Sequence, residues 1–284
     1  MSMDIAPRRR PIAGALLASL VAAGAAGVAP RPDVGELVRR MKAALEPDRP
    51  SVRRLTLTVS AEDGDTSIVT LGQARKGFPD GERILTVVLA PEDRRGVAFL
   101  MRELPDRSAV EQSVWVPAVR RVRTILPVEG LTPFLDSDFT LADLGFVAVR
   151  TRYDFVDTTT REGAAVHQIK ETPQSPHARW YYSHVFTWLR ADSALPVERQ
   201  YYDPSGTLWK DERFTDTAVV DGVPTVLDVH MDDRQAGGSS ELHVDQVSYD
   251  AELPDELFDP QRLRHAVESP LWTSGAMVRR TALR

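Results

Sequence analysis

Alternating aspartate and histidine residues near position 230 form the pattern in this sequence that comes closest to a metal or catalytic site. Asp228, His230 and Asp232 are separated by apolar residues, so a strand would carry all three on one face. Carboxylate oxygens and imidazole nitrogens are common metal ligands. The same alternation is typical of the solvent-facing side of a half-buried strand, and we favour this second interpretation. We therefore expect no metal site.

The sequence contains no established catalytic motif. It has no Gly-x-Ser-x-Gly, no His-Glu-x-x-His, no glycine-rich phosphate loop and no calcium-loop spacing. It has no cysteine, which excludes disulfides, thiolate metal ligands, a cysteine nucleophile and a lipidated cysteine. Because an enzyme would need a site assembled from distant strands, we expect no catalytic residues and no cofactor.

A row of aromatic residues at alternate positions indicates a binding surface. Period two places Trp180, Tyr182, His184, Phe186 and Trp188 on one strand face. This face is either ordinary sheet core or the lining of a cavity for an acyl chain or another flat apolar ligand. We expect His184 to be a hydrogen-bonded core residue. The predicted cavity lining combines the other four with apolar positions of two further strands, namely Trp180, Tyr182, Phe186, Trp188, Leu57, Val59, Leu227 and Val229.

A basic cluster occurs at residues 120–123. Arg121 and Arg123 lie at alternate positions, so a strand would present both on one face. Guanidinium groups suit phosphate head groups or an acidic patch of a partner protein. The alternative is a solvated or ion-paired sheet edge.

The first thirty residues set the expected compartment. Three arginines at positions 8–10 precede an apolar run of small residues at 12–28, which is typical of a secretory signal peptide cleaved near Gly27. An uncleaved membrane anchor is the alternative, although a spanning helix needs about 20 apolar residues. We expect a signal peptide at 1–27 and one domain at 28–284.

The charge of the remaining chain argues against nucleic-acid binding. Residues 1–27 contain three arginines and one aspartate, so their removal changes the formal net charge from -6 to -8. Nucleic-acid phosphates require clustered lysine and arginine residues. We therefore expect no nucleic acid among the partners.

The elements that position these residues are mainly strands. Residues 33–46 have helical spacing after a capping aspartate, and a shorter helical signal occurs at 137–144. A first strand carries Leu55, Leu57 and Val59, and tight turns separate the strands that follow it. We predict these at 84–89, 96–102, 113–116, 146–156, 165–170, 180–189, 197–202, 208–214, 225–231 and 242–249.

Strands joined by tight turns predict an antiparallel meander, because a parallel crossover needs a longer connection. About ten such strands seldom stay flat. We predict a mainly β fold with a few α-helices, a single incomplete, half-open antiparallel β-barrel covered by helices. The two helical segments are the predicted lids, with Leu37, Met41, Phe139 and Leu144 facing the cavity.

Two segments, 115–123 and 134–144, resemble the paired motifs of the outer-membrane lipoprotein-sorting-like family. The first reads Trp-Val-Pro-Ala-Val-Arg-Arg-Val-Arg, and the second contains Ser-Asp-Phe before Asp-Leu. Looser similarities at 195–199, 202–206, Lys210 and 253–258 extend the resemblance over about residues 33–265. The resemblance implies an incomplete barrel that shields lipid or acyl chains, frequent association with exporters of the resistance-nodulation-division type, and no catalytic residues.

These observations support a carrier more than the other classes of protein. Our first hypothesis is a monomeric periplasmic carrier or chaperone for a lipid, lipoprotein acyl chains or another hydrophobic cargo, working beside an envelope exporter. The second is a non-catalytic accessory protein that binds protein partners without a ligand. The third and weakest is a metal-dependent envelope hydrolase that uses Asp228, His230 and His184.

Overall fold

Alternation of apolar and polar residues produces long strands in the structure, a computed structural model that describes residues 31–45, 47–104, 110–144, 151–161, 163–174 and 181–272. One α-helix, α1 (Val34–Leu45), precedes them. The strands are β1 (Ser51–Ser60), β2 (Thr66–Phe78), β3 (Gly81–Ala90), β4 (Ala98–Glu103), β5 (Val110–Val116), β6 (Arg121–Thr124), β7 (Thr151–Arg161), β8 (Ala164–Pro173), β9 (His184–Arg190), β10 (Pro196–Tyr202), β11 (Leu208–Phe214), β12 (Thr217–Val220), β13 (Val223–Val226), β14 (Asp228–Asp233) and β15 (Ser239–Tyr249).

Thirteen of these strands form one antiparallel sheet in the order β6-β5-β4-β3-β2-β1-β15-β14-β11-β10-β9-β8-β7, and β12 pairs with β13 separately. The mainly β, antiparallel prediction is confirmed. The half-open barrel is confirmed only in part, because the edge strands β6 and β7 do not pair with each other in the described chain and the sheet is not closed.

The sheet has two faces with different covers. On the face that we call inner, Leu57, Leu71, Val185 and Tyr201 belong to one apolar cluster that also contains Phe139 from the segment 125–144. Leu189 lies on the same face of β9 as Val185, because the two residues are four apart on the strand. Leu189 packs against α1. Helix α1 and the segment 125–144 therefore cover the same side.

The opposite, outer face is covered over β1 to β4 by the C-terminal part of the described chain. Ala74, Leu85 and Leu100 pack there against Phe258 and Leu263, which belong to short 3₁₀ segments. These segments are Asp255–Phe258, Pro260–Glu268 and Pro270–Trp272. Trp272 is buried, so this segment closes the core on that side.

Helix α1 begins at a capping aspartate, as the sequence predicts. The Asp33 Oδ1 atom accepts hydrogen bonds from the backbone N–H groups of Gly35 at 2.8 Å and Glu36 at 3.2 Å. Such a cap satisfies helix donors that lack intrahelical partners. Leu37 and Met41 are the buried residues of the helix.

Two predictions about elements are corrected, and strand β2 was not predicted. Residues 137–144 form turns and no α-helix, because Thr140 and Asp143 cap a single turn. The strand predicted at 225–231 divides into β13 and β14. Strand β2 contains glycine and polar residues that hide the alternation.

Within the described ranges, no helix combines the length and the apolar character needed to cross a bilayer. The predicted signal peptide lies outside the described residues.

Candidate functional site

A cavity of about 450 Å³ lies between α1, the turn at residues 142–144 and the inner face of the sheet. This volume is within the range of about 300–1,000 Å³ that is usual for small-molecule sites. Its walls come from both covering segments and from β1, β7 to β11. The lining residues are Met41, Lys42, Leu45, Arg53, Ala142, Asp143, Leu144, Thr151, Tyr153, Glu171, Tyr182, Val185, Thr187, Arg199, Tyr201 and Phe214.

One part of the lining is apolar. Met41 and Leu45 face the cavity from the helix, Leu144 faces it from the turn, and Val185 and Phe214 face it from the sheet. Helical spacing brings Met41 and Leu45 to one side of α1 because residues four apart are neighbours on a helix. This part of the wall can accept an apolar group.

The floor of the cavity carries a buried ion pair between β10 and β11. Arg199 Nη1 lies 3.5 Å from Glu212 Oε2, and the two side chains are 19% and 6% exposed. The Tyr201 hydroxyl donates to the same carboxylate oxygen at 2.6 Å. Burial raises the pKa of Glu212, and the Arg199 charge and the Tyr201 hydrogen bond oppose this rise.

A second ion pair fastens the turn to the sheet. Lys210 Nζ lies 2.8 Å from Asp143 Oδ2, and the side chains are 2% and 0% exposed. The same ammonium donates to the Asp138 carbonyl oxygen at 2.7 Å. The Tyr182 hydroxyl donates to the other Asp143 oxygen. Burial, followed by the Asp143 charge, raises the pKa of Tyr182, which keeps its hydroxyl a donor.

The rim of the cavity has further polar groups. Glu171 accepts hydrogen bonds from the hydroxyls of Thr151 at 2.6 Å and Tyr153 at 2.9 Å. Arg53 donates to the Tyr249 hydroxyl at 3.3 Å, and its Nε atom is buried without a hydrogen-bond partner in the described chain. The site thus combines an apolar wall with a few fixed polar groups, which is the usual composition of a ligand site.

Three of the residues selected from sequence meet in this cavity. Tyr182 lines it from the sheet side, and the predicted lid residues Met41 and Leu144 line it from above. Leu37 packs beneath α1 in the cluster with Ile169 and Leu189, so it anchors the helix to the sheet.

Five other predicted residues lie in the core beside this cavity and do not line it. Leu57 and Leu227 are 0% and 1% exposed in the main apolar cluster, and Phe139 is 2% exposed there. Val59 and Val229 are partly buried and pack against the same cluster. Side chains of the protein itself therefore fill this part of the inner face.

The predicted aromatic row divides between the two faces. Tyr182 precedes β9 and packs on Tyr201 with 5.0 Å between ring centroids, on the inner face. Phe186 and Trp188 alternate with the inner residues Val185, Thr187 and Leu189, so they face outward. They do not line the cavity beneath α1. Trp180 lies outside the described residues.

The outward aromatic rings form their own contacts. His184 stacks on Tyr202 with 4.3 Å between ring centroids, and the Arg161 guanidinium lies 4.2 Å from the Trp188 ring centroid. Phe186 contacts Trp188 at 6.1 Å. His184 thus contacts aromatic rings on the outer face and is not part of the cavity.

The predicted basic contacts lie at a sheet edge. Arg121 and Arg123 belong to β6, where all four residues are exposed. Arg123 Nη1 donates to Glu129 Oε1 at 2.7 Å, so this arginine forms a surface ion pair.

The structure brings together a group of possible metal ligands that differs from the set Asp228, His230 and Asp232 considered in the sequence. Ligand atoms of Asp228, Glu241 and His243 lie within 4.8 Å of one another on the outer face of β14 and β15. The His243 ring hydrogen-bonds to Asp228, which raises the His243 pKa. This pairing places a proton between two of the three possible ligands. His184 lies on β9, three strand spacings from β14, so it cannot join them.

Arg199 and Glu212 were not predicted as site residues. A signal was present, since Glu212 is in phase with Lys210 and Phe214 on one strand and Arg199 is in phase with Tyr201. Charged residues at the same phase as core residues indicate a buried polar network. Their pairing across strands is not visible in a single strand pattern.

Comparison with known proteins establishes the family. The model of a family of uncharacterized proteins, DUF1329, matches residues 80–265, which is more than half of the 284-residue chain. The chain belongs to this family. No curated protein matches it. Solved structures of the DUF1329 family and of lipoprotein-sorting proteins share its fold, as the motifs at 115–123 and 134–144 predict.

Three solved structures illustrate the likeness. A domain assigned to outer membrane lipoprotein sorting from Vibrio parahaemolyticus is 23% identical with a TM-score of 0.72 and covers 81% of this chain and 97% of its own. A DUF1329 family protein from Desulfovibrio piger is 23% identical with a TM-score of 0.73, covering 80% and 96%. A LolA superfamily protein from Nitrosomonas europaea is 17% identical with a TM-score of 0.62, covering 79% and 96%. At these identities the likeness establishes a LolA-like fold alone.

Proposed function

We propose that this DUF1329 protein is a periplasmic carrier or chaperone that holds a lipid, lipoprotein acyl chains or another hydrophobic cargo in the cavity beneath α1. The observation that carries the proposal is this cavity on the inner face of an open LolA-like sheet. The naming of similarly folded proteins for lipoprotein sorting supports it. The proposal includes cleavage of the signal peptide near Gly27, a monomer, and an exporter of the resistance-nodulation-division type as partner.

Burial of the cargo supplies the binding free energy. Each buried methylene contributes about 0.8 kcal/mol, so an acyl chain of about a dozen carbons gains on the order of 10 kcal/mol if fully buried. The apolar residues Met41, Leu45 and Leu144 provide contacts, and the polar groups near Arg53 and Glu171 orient the end of the cargo that carries heteroatoms. Carriage needs no covalent chemistry, so no catalytic residue is proposed.

Cargo entry requires one cover to move, and α1 is the better candidate. Its buried residues Leu37 and Met41 pack against a small cluster that includes Ile169 and Leu189. The segment with Phe139 is instead held by the buried Lys210 ion pair and by core packing. We therefore assign the lid to α1 and the fixed wall to the turn at 142–144.

An accessory protein without a ligand is the second candidate. The observation that favours it is the close packing of Leu57, Leu227 and Phe139, which fills the inner face beside the cavity. Such a protein would use its surfaces to hold an envelope complex together.

Native mass spectrometry of freshly purified protein, followed by lipid extraction, tests the proposal. A carrier retains lipid, whereas an accessory protein does not. The informative variant is Leu144→Trp, because this residue lines the cavity and a larger ring occupies its volume. Leu126→Trp is the matched control, since Leu126 is 55% exposed on the same covering segment.

We expect Leu144→Trp to weaken binding of a fluorescent fatty acid about tenfold, as excluding two methylenes from burial costs about 1.6 kcal/mol. Leu126→Trp should bind as the parent does, and thermal unfolding should show both variants folded. Lipid-free protein that binds no acyl probe would reject the carrier in favour of the accessory role.

A further inference from the structure

A second pocket, of about 660 Å³, lies on the other side of the sheet. Its residues come from the β3–β4 connection, from the end of β5 and the turn after it, and from the C-terminal 3₁₀ segment. Trp115 marks the face, because it packs against the outer cluster and not the inner one. The lining residues are Glu92, Arg95, Gly96, Trp115, Pro117, Arg120, Arg264 and Val267.

The turn after β5 places Arg120 in this lining. Pro117 starts a 3₁₀ turn, and Arg120 ends it in the left-handed conformation at φ 48° and ψ 41°. Its N–H donates to the carbonyl oxygens of Val116 at 3.0 Å and Pro117 at 3.2 Å. A left-handed residue other than glycine costs about 1 kcal/mol or more, and such strain concentrates at functional sites.

The pocket is positively charged although the chain is acidic. Three arginines face one glutamate, which gives a formal charge of +2 in a chain of net charge -6. Arg95 lies 4.0 Å from Glu92, and both side chains are largely exposed. Arg264 donates to the His265 ring at 2.9 Å. Within the described ranges Arg120 has no carboxylate partner.

The neighbouring arginines do not share this environment. Arg121 and Arg123 pair across strands with Val116 and Val114, and Val114 is a residue of the inner cluster. Trp115 alternates with them, so the pocket and these two arginines face opposite sides. The chain thus offers adjacent arginines, Arg120 and Arg121, of which one lines the pocket.

We propose that this pocket binds a phosphate group attached to a small apolar or glycerol moiety. Arginines from three separate segments line the space, and arginine recognises phosphate oxygens through paired hydrogen bonds. Trp115, Pro117 and Val267 supply an apolar wall for the attached group. The phosphate can belong to a phospholipid head group or to a soluble phosphate ester. Because this site lies opposite the cavity beneath α1, it does not depend on the proposed carrier function.

Two binding measurements distinguish the two sources. Isothermal titration with glycerol 3-phosphate measures the soluble ester, and sedimentation with mixed phosphatidylcholine and phosphatidylglycerol vesicles measures the head group. Vesicles of phosphatidylcholine alone are the reference. The variants are Arg120→Gln and Arg264→Gln, with Arg121→Gln as the control that removes the same charge outside the pocket.

We expect both pocket variants to bind about tenfold or more weakly, because each removes a charge-assisted hydrogen bond. Arg121→Gln should bind as the parent protein does. Binding should decrease as salt concentration rises. Absence of binding in both assays overturns the proposal. So does an equal loss in Arg121→Gln, which would indicate attraction by surface charge in general.

Discussion

Replacing Lys210 by methionine should destabilise the protein more than any surface change of one charge. The ammonium lies 2.8 Å from Asp143 Oδ2 and 2.7 Å from the Asp138 carbonyl oxygen. Methionine keeps an unbranched side chain that is one atom shorter and removes both hydrogen bonds. The Asp143 carboxylate, which is fully buried, then loses its counter-charge.

The expected cost follows from this burial. Removing one partner of a buried ion pair typically costs about 3–5 kcal/mol, because the remaining charge is left uncompensated. For a domain of this size, that loss lowers the melting temperature by about 6–20 °C. A double variant, Lys210→Met with Asp143→Asn, removes both charges, keeps an amide oxygen that can accept the Tyr182 hydrogen bond, and should recover part of the loss.

Urea unfolding monitored by circular dichroism gives the free energy of unfolding for the two single variants and the double variant. The double-mutant cycle then isolates the coupling between Lys210 and Asp143. Arg234→Met is the matched control, since its ion pair with Asp211 is partly exposed and should contribute little. If Lys210→Met costs no more than this control, the ion pair does not hold the turn at 142–144 to the sheet.

Three further predictions concern other parts of the fold. Gly72→Ala should lower the free energy of unfolding by about 1–3 kcal/mol through overpacking, because a Cβ atom would lie 2.5 Å from a Trp272 ring carbon. A change smaller than the experimental error in urea unfolding would contradict this contact. His243→Gln should lower the free energy of unfolding by at most about 1 kcal/mol when the pH is below about 6, because the hydrogen bond to Asp228 raises the pKa of His243 in the folded protein. This loss of stability should disappear as the pH rises through the raised pKa. A cost that grows with pH would contradict that sign. Asp33→Ala should lower stability by about 1 kcal/mol and increase hydrogen exchange in α1, and unchanged exchange would show that the cap does not hold the proposed lid.

Patterns that depend on neighbours in sequence predicted much of the architecture. Period-two alternation and tight turns gave the antiparallel strands, and a capping aspartate with helical spacing gave α1 within one residue of its ends. These signals are local, because strand and helix periodicities are properties of a few consecutive residues. The prediction at 137–144 failed because capping spacing between Thr140 and Asp143 also fits a single turn.

The residues of the cavity were harder to predict. Met41 was identified from helical spacing, Leu144 from a predicted helix that is a turn in the structure, and Tyr182 from the alternation of aromatic residues. Arg199 and Glu212 were missed. Arg199 and Glu212 form an ion pair because they are direct partners across β10 and β11. The register of this strand pair shifts at Tyr201 and Tyr202, between the connecting turn and the ion pair. The sequence carries the charges but not this register.

Local periodicity was enough to predict the class of fold and the helix that covers it, but not that Tyr182 lies on a different face from Phe186 and Trp188. The choice of the covered face depends on long-range packing. Phe186 and Val185 belong to opposite faces of β9, and period two gives no preference between them. The packing of α1 on Ile169 and Leu189 made the face with Val185 the inner one, since burial of apolar area stabilises only the side that receives a cover.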